Sequence, residues 1–543
     1  MGEHARARVV INRVLATIVV RQDWREAVLS WVRSRGRLTG VDGPPGTGKT
    51  QSSVGLVSSV NSPTRAVAFT RSDAVEFNRR LRRDCAEVET VDSLAVRFVG
   101  FESMVKHRGN IELGVDLLRR EVAREFGIDY SLDKYSPAFG NELFHAADFV
   151  INAAGIDGLY RLVNALSPVD TGAVGALEKY YACVFGRVDN VGKFKCGFYD
   201  FTIARLELAL HGIALPVRAG KRDCGEPQVL VVDEAQDVSW LMWLDIIRAS
   251  GDGVRWLVLA GDLDQAIYRG LHPIAVEVFE EALRVGEVVR LERSRRVPNN
   301  VAQLAQAWLR VSRGSRSPRR VWLGTEAFGS IRFVDYVSML REVVSVFSKL
   351  KVFILAPTNR TIVPTAINLM RLGIIPHFLK GVPTQVAVLI NMARDLLVNG
   401  GVDVDLGGVG GVETEYLGAI VDLARARFKS LRVLYPDKPE AEVWDLVWGE
   451  LDPGGLVYDS DPNAPLFVDT IHTAKGLEAD LVFVLNFLDE REREPDPTPN
   501  LMYVALTRAR AGVRIVTTPG PGWKPWVDTT LLRRLAQGVV VNA

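Results

Sequence analysis

The chain has 543 residues, 48% of them hydrophobic and 24% charged, with a formal net charge of +1. Its length exceeds what one hydrophobic core usually serves, so about two to four domains are expected, and the composition excludes a disordered chain. No apolar run is long enough for a membrane-spanning helix, and the near-neutral balance restricts any nucleic-acid binding to local patches. The N-terminal stretch starts basic and turns apolar, but Arg13 and Arg21 interrupt it, so it reads as structural and not as a signal peptide. Four cysteines, Cys85, Cys183, Cys196 and Cys224, lie far apart with no C-x-x-C pair. That spacing speaks against zinc ribbons, iron–sulfur clusters and a disulfide framework, and for a reducing compartment.

The first chemical signal is GVDGPPGTGKTQ, residues 40–51. Gly43-x4-Gly48-Lys49-Thr50 fits the phosphate-binding loop, in which glycines let backbone N–H groups form a nest around phosphate oxygens. Gly43, Gly46, Thr47, Gly48 and Gln51 belong to this loop; Lys49 would reach the outer phosphates and Thr50 would ligate Mg2+. RLTGVDG before the loop reads as a strand, and QSSVGLVSSV after it as a helix whose N-terminus faces the phosphate. RAVAFT (65–70) is a second buried strand, followed by a basic helix over 72–83. QVLVVDEAQD (228–237) is a third strand ending in acids, and VRWLVLAGD (254–262) a fourth. At the end of the third, Asp233 can hold magnesium while Glu234 orients and deprotonates a water for attack on a γ-phosphate.

Further along, the basic run from Arg310 to Arg320 reads as a solvated loop, with phosphate contact as the alternative. A second set of apolar strands follows at 351–358, 467–473, 480–487 and 513–518. Apolar strands alternating with helices describe parallel sheets with their sites at the strands' carboxyl ends. Residues 96–222 are helical in pattern, and the glycine-rich stretch 398–412 within 381–464 reads as a flexible connection. No internal repeat is visible.

DEAQD and the segments around it resemble superfamily 1 helicases of the UvrD/Rep/RecB-like type. AFTRSDAVEFNRRL (68–81) is similar to motif Ia, TVDSL (90–94) to Ib, GDLDQAIY (261–268) to III and LERSRRVP (291–298) to IV. YDFTIARLELAL (199–210) resembles the helix preceding the Walker B strand. DTIHTAKGLEADLVFVL (469–485) and LMYVALTRAR (501–510) are similar to motifs V and VI, and the matches are collinear. The resemblance implies two RecA-like P-loop NTPase cores of α/β class, each carrying a mainly helical insertion, with ATP in the cleft between them. The first core is expected over 1–95 and 223–290 with insertion 96–222. The second is expected over 291–380 and 465–543 with a reduced insertion, 381–464.

The resemblance also implies roles. Gln265 would sense the γ-phosphate, Arg296 and Arg508 would act as arginine fingers, Glu478 would hold the ribose, and Gly476 would lie beside the nucleotide. Phe69 and Tyr268 would stack on bases, while Thr70, Ser93 and His472 would contact phosphates. The implied activity is that of a magnesium- and ATP-dependent DNA helicase, DNA-stimulated, moving 3′ to 5′ on single-stranded DNA. Single/double-strand junctions and accessory repair or replication proteins are the implied partners, in the cytoplasm and, in a prokaryote, at the nucleoid. The alternatives are an ATP-gated single-stranded nucleic-acid clamp that does not unwind, and an RNA-directed motor. Three positions depart from the family: Tyr268 runs straight into Arg269-Gly270-Leu271, Arg295 replaces the adenine-packing Tyr, and Gln22 lies two residues early with Trp24 in its place.

Overall fold

The computed structural model describes residues 3–81, 84–106, 111–130, 138–192, 194–220, 222–268, 273–313, 321–379, 384–398, 411–451, 464–490, 492 and 498–541. The glycine-rich stretch from 399, most of the basic run after Arg313, and Arg269–Leu271 lie outside them. The chain divides into two compact units, Met1–Arg295 and Arg296–Ala543.

The first unit opens with helices α1 (Glu3–Thr17) and α2 (Gln22–Arg33). Its core follows as β1 (Arg37–Asp42), α3 (Lys49–Ser58), β2 (Thr64–Ala68), α4 (Arg71–Arg80), β3 (Ala86–Thr90) and α5 (Val91–Val99). The chain then builds α6 (Ile111–Glu125), α7 (Phe139–Leu166), α8 (Thr171–Val184) and α9 (Phe201–His211). It returns to the sheet through β4 (Val229–Val232), α10 (Trp240–Ser250), β5 (Trp256–Gly261), α11 (Val276–Val285) and β6 (Glu287–Arg290). The six strands run parallel in the order β6-β1-β5-β4-β2-β3, with Asp42 opposite Gly261 and Val67 opposite Val232. VLVV of β4 and WLVLAG of β5 are buried throughout, the continuous apolar reading of a sheet covered on both faces.

Helix α7 is interrupted at Gly155, whose φ of +63° breaks the helical path. A Cβ there would stand 3.3 Å from the Trp24 ring, so this glycine lets α2 approach closely. Trp24 is accordingly core, while Gln22 is exposed and its amide donates to Glu26.

The cysteines correct the expectation that spoke against a disulfide framework. Cys85 pairs with Cys224 and Cys183 with Cys196, at Cα separations of 5.5 and 4.6 Å. The first pair joins the start of β3 to the segment just before β4, so that β3, α5 and the helical insertion lie within the loop it closes. Proximity in three dimensions, invisible in the spacing, makes these bonds.

The second unit comprises α12 (Asn299–Ser312), β7 (Ser330–Val334), α13 (Tyr336–Val346), β8 (Val352–Ala356) and α14 (Asn359–Arg371). Helices α15 (Thr384–Val398), α16 (Gly411–Leu434) and α17 (Glu440–Leu451) form its insertion. Strands β9 (Leu466–Thr470) and β10 (Ala479–Leu485), helix α18 (Thr498–Leu506), strand β11 (Ala509–Val516) and helix α19 (Thr529–Val541) complete it. Its five strands are also parallel, ordered β7-β11-β10-β8-β9. Both units are therefore α/β, P-loop NTPase-like cores carrying helical insertions. Among the described residues, no helix is long and apolar enough to cross a membrane.

Candidate active site

In the first unit the loop after β1 turns sharply into α3. Gly46 and Gly48 adopt φ of +71° and +88°, the left-handed region that favours glycine. Gly43 is equally constrained, because a Cβ there would lie 2.5 Å from Thr47 Oγ1. Thr47 donates its hydroxyl to the Pro44 carbonyl (2.8 Å), and Gly43 N–H donates to the Gly261 carbonyl (3.2 Å). Ser294 and the Arg295 backbone N–H brace the loop from the far side, on the carbonyls of Pro45 (2.7 Å) and Gly46 (2.8 Å). The loop thus presents the N-terminus of α3 and its unpaired N–H groups to an anion.

Behind it stand the acids at the carboxyl ends of β4 and β5. Thr50 donates its hydroxyl to Asp233 Oδ2 at 2.6 Å, and Lys49 Nζ lies 4.0 Å from Glu234 Oε1. Burial, followed by the neighbouring Glu234 charge, pushes Asp233 up to about 6, against the pull of Thr50 and Lys49. Asp262, buried and beside Asp264, is pushed up to about 7. Lys49 beside the buried Asp233 and Asp262 and the adjoining Glu234 leaves a site that favours the arrival of a further positive charge with a phosphate chain. Thr50 and Asp233 offer the hard oxygens that Mg2+ prefers, and phosphate oxygens and water normally complete its octahedron. Among the described residues no group of three or more His, Cys, Asp or Glu side chains is placed to hold a metal ion.

Glu234 itself occupies the left-handed region, with φ of +50° and ψ of +40°. A non-glycine residue held there indicates a backbone constrained by its surroundings. Gln236, which the sequence reading placed in DEAQD without a role, donates to Glu234 Oε2 at 2.6 Å and to Asp237 Oδ2 at 2.8 Å. Gln265 donates its amide to Asp262 Oδ2 (2.8 Å), so it sits in the same acidic cluster as the Walker B pair.

Phe69 and Tyr268 come together at the carboxyl ends of β2 and β5, their ring centroids 4.8 Å apart and tilted by 39°. Tyr268 is only 7% exposed, and Phe69 is half-buried. Thr70 and Ser93 are engaged locally. Thr70 caps α4 by accepting from Asp73 N–H and donating to the Asp73 carboxylate, and Ser93 pairs with Thr90 at the start of α5.

In the second unit, β9 leads into the loop carrying His472, Lys475 and Gly476, whose φ is +86°. Thr470 and Thr473 hydroxyls close this loop at 2.9 Å. Glu478, at its end, pairs with Arg296 (3.5 Å) and Arg510 (3.3 Å). Arg508 is 1% exposed, and its guanidinium donates to the carbonyls of Val504 (3.1 Å) and Leu477 (3.3 Å).

A glycine loop at a helix N-terminus, with a buried lysine and paired acids at the strand ends, defines a P-loop nucleoside triphosphatase. A family model described as an AAA domain matches residues 25–271, and one described as the UvrD-like helicase C-terminal domain matches residues 465–516. The two matches support a UvrD-like superfamily 1 helicase. Among solved structures, "The structure of PRRSV helicase" is similar at 11% identity and a TM-score of 0.32, covering 92% of this chain and 55% of that one. This chain thus spans about half the length of that protein. No curated protein matches it.

Proposed function

We propose that the protein is an ATP-driven motor that moves 3′ to 5′ along single-stranded DNA and opens duplexes at single/double-strand junctions. The observation that carries this reading is the Thr50–Asp233 contact of 2.6 Å with Lys49 and Glu234 beside it, on the sheet edge that also bears Phe69 and Tyr268. Nucleotide chemistry and an aromatic pair suited to base stacking share one set of strand ends.

In this reading, Lys49 and the loop N–H groups hold the β- and γ-phosphates, and Thr50 and Asp233 hold Mg2+. The ion neutralises charge on the phosphate oxygens when bound. Glu234 takes the proton of the attacking water, and Gln265 stands near the γ-phosphate. Arg296 and Arg508 stabilise the charge of the transferred phosphoryl group, and Glu478 holds the ribose. Phe69 and Tyr268 meet bases, and Thr70, Ser93 and His472 meet phosphates, so the strand is gripped without sequence readout. Accessory repair or replication proteins, and a place at the nucleoid, complete the proposal.

The test is phosphate release from each nucleoside triphosphate, alone and with single-stranded DNA or RNA of equal length, followed by strand displacement on tailed duplexes. ATP hydrolysis raised severalfold by DNA and not by RNA, with displacement of the duplex, is expected. Stimulation by RNA alone would replace DNA as the track, and hydrolysis without displacement would leave a clamp.

A further inference from the structure

The second unit holds a cleft to which the proposed motor gives no part. It opens between α12 and α19, encloses about 390 Å³, and is lined by Gln303, Ala307, Arg534, Leu535, Gly538 and Val539. That volume falls in the range of binding pockets. The lining follows helical spacing, i and i+4 on α12 and i, i+1, i+4 and i+5 on α19, so each helix turns one face into the cleft. On α12 the same face continues for another turn through Arg310 and Val311, both exposed, Val311 by 47%. From Gln303 to Val311 this face runs about 12 Å along the helix.

Charge and shape together define what the cleft would hold. Neither α12 nor α19 contains an Asp or a Glu, whereas Arg310, Arg533 and Arg534 bring three guanidinium groups. Arg533 lies over the Phe333 ring at 5.1 Å. Among the described residues, Arg534 and the half-buried Gln303 have no hydrogen-bond or ion-pair partner. Asp528, just before α19, is engaged by the N–H groups of Thr530 (2.8 Å) and Leu531 (3.1 Å). The floor is low at Gly538, where an added Cβ would meet nothing within 4 Å. A glycine in a helix interior weakens the helix, and no packing neighbour requires one here. Its effect is to let another backbone come close between Leu535 and Val539.

We infer that the α12–α19 cleft is a docking surface for an amphipathic, acidic helix of a partner protein. A cleft between two helices accepts a third, whose apolar residues at i, i+3 or i+4 and i+7 seat on Ala307, Leu535 and Val539. The Arg534 guanidinium pairs with a carboxylate on the flank of that helix, and the Gln303 amide on the α12 wall offers both a donor and an acceptor. A nucleic-acid backbone is the poorer match, since it needs a row of cations and would find one guanidinium beside an apolar floor. Docking here needs no nucleotide and stands apart from hydrolysis.

The experiment selects phage-displayed random peptides of about 15 residues, roughly four helical turns, on the full-length protein. Counter-selection uses Gly538→Leu, which fills the cleft, and thermal melting establishes that each variant folds. Enriched peptides, labelled and titrated by fluorescence anisotropy, should carry apolar residues at helical spacing flanked by Asp or Glu. Their affinity should fall about tenfold or more on Gly538→Leu, since a side chain then occupies their seat. Arg534→Glu, at an exposed position, should weaken them about three- to tenfold and should recover binding of versions whose acids are changed to Lys. No enrichment over Gly538→Leu, binding indifferent to the charge swap, or displacement of the peptide by single-stranded DNA overturns the inference, the last by making nucleic acid the occupant. If Gly538→Leu does not fold, Arg534→Glu serves for counter-selection and the charge swap decides. A parent that hydrolyses no nucleotide would sink the motor reading and leave peptide binding to decide this one.

Discussion

Single side chains in this protein act through what surrounds them. Lys49 is 8% exposed and stands among Glu234, Asp233 and Asp262, lowering the latter two against the upward push of burial. Lys49→Ala should cut ATP hydrolysis by about 10²-fold or more, read as phosphate release, since one fixed donor in such a site carries that much. Turnover within tenfold of the parent would remove Lys49 from the phosphate site. Arg508 carries two burdens, because its guanidinium serves carbonyls of Val504 and Leu477 besides its proposed catalytic charge. Arg508→Ala should therefore lower turnover about 10³-fold and also lower the melting temperature, as buried acceptors lose their donor. ATP affinity should barely move; a parallel loss of affinity and turnover would make it a binding residue. The phosphate loop was legible because its chemistry is written in eight consecutive residues from Gly43 to Thr50. Gln236 stood in plain view within DEAQD, but its side-chain carbonyl accepts from the Asp262 N–H one strand away, and no local pattern encodes that contact. For Thr70 and Ser93 the motif supplied a binding role, whereas the structure adds helix capping, a use that the residue type alone also predicts.

At the scale of elements, the buried face of α10 holds a carboxylate with no hydrogen-bond partner among the described residues. Both oxygens of Asp245 are enclosed, facing Arg205 of α9 and Asp92 of α5, and burial raises its pKa well above the usual carboxylate range. The unfolded chain ionises this group near its ordinary value, so the native state binds the extra proton and stability falls as pH rises above that value. Asp245→Asn should melt higher than the parent at pH 7–8, with the difference closing toward pH 4; a pH-independent difference would contradict a native protonated Asp245. The disulfides belong to this scale too. The Cys85–Cys224 bond closes a loop with a sequence separation of 139, and loops of that order stabilise by about 2–5 kcal/mol through the unfolded chain. Reductant, or Cys85→Ser, should lower the melting temperature by several degrees; an unchanged transition would show that the bond adds nothing. The apolar strands β4 and β5 were evident from their runs of Val and Leu. Strands β3 (AEVET) and β6 (EVVR) were missed, because they lie on the sheet's edges, half-buried, and their sequences carry charge.

For the whole molecule, the order of strands and helices along the chain was enough to give two parallel α/β sheets, because parallel pairing demands crossovers and their periodicity is visible. What periodicity could not give was neighbourhood: which helix covers Trp24, or which thiols meet. A net charge of only +1 supplies no bulk attraction to nucleic acid, so the proposed grip rests on a few phosphate contacts and two rings. Affinity for two unrelated single strands of equal length should agree within about twofold, and should fall with a log–log salt slope of about −0.7 for each phosphate neutralised. A strong preference for one sequence would point to a specific binder instead of a motor. The first sheet has one more consequence, for how the protein comes into being. Its edge strand β6 pairs with β1 across roughly 250 residues, Thr39 opposite Glu287, and a ribosome adding about 5–20 residues per second needs about 12–50 s to span that gap. Until β5 emerges the strand before the phosphate loop has both flanks bare, and one flank stays bare until β6 follows, open to any passing β-strand. Synthesis of this protein therefore carries a window of vulnerability that ends only as the last strand of the first unit emerges, and chaperones that shield bare strands would act there, long before any nucleotide is met.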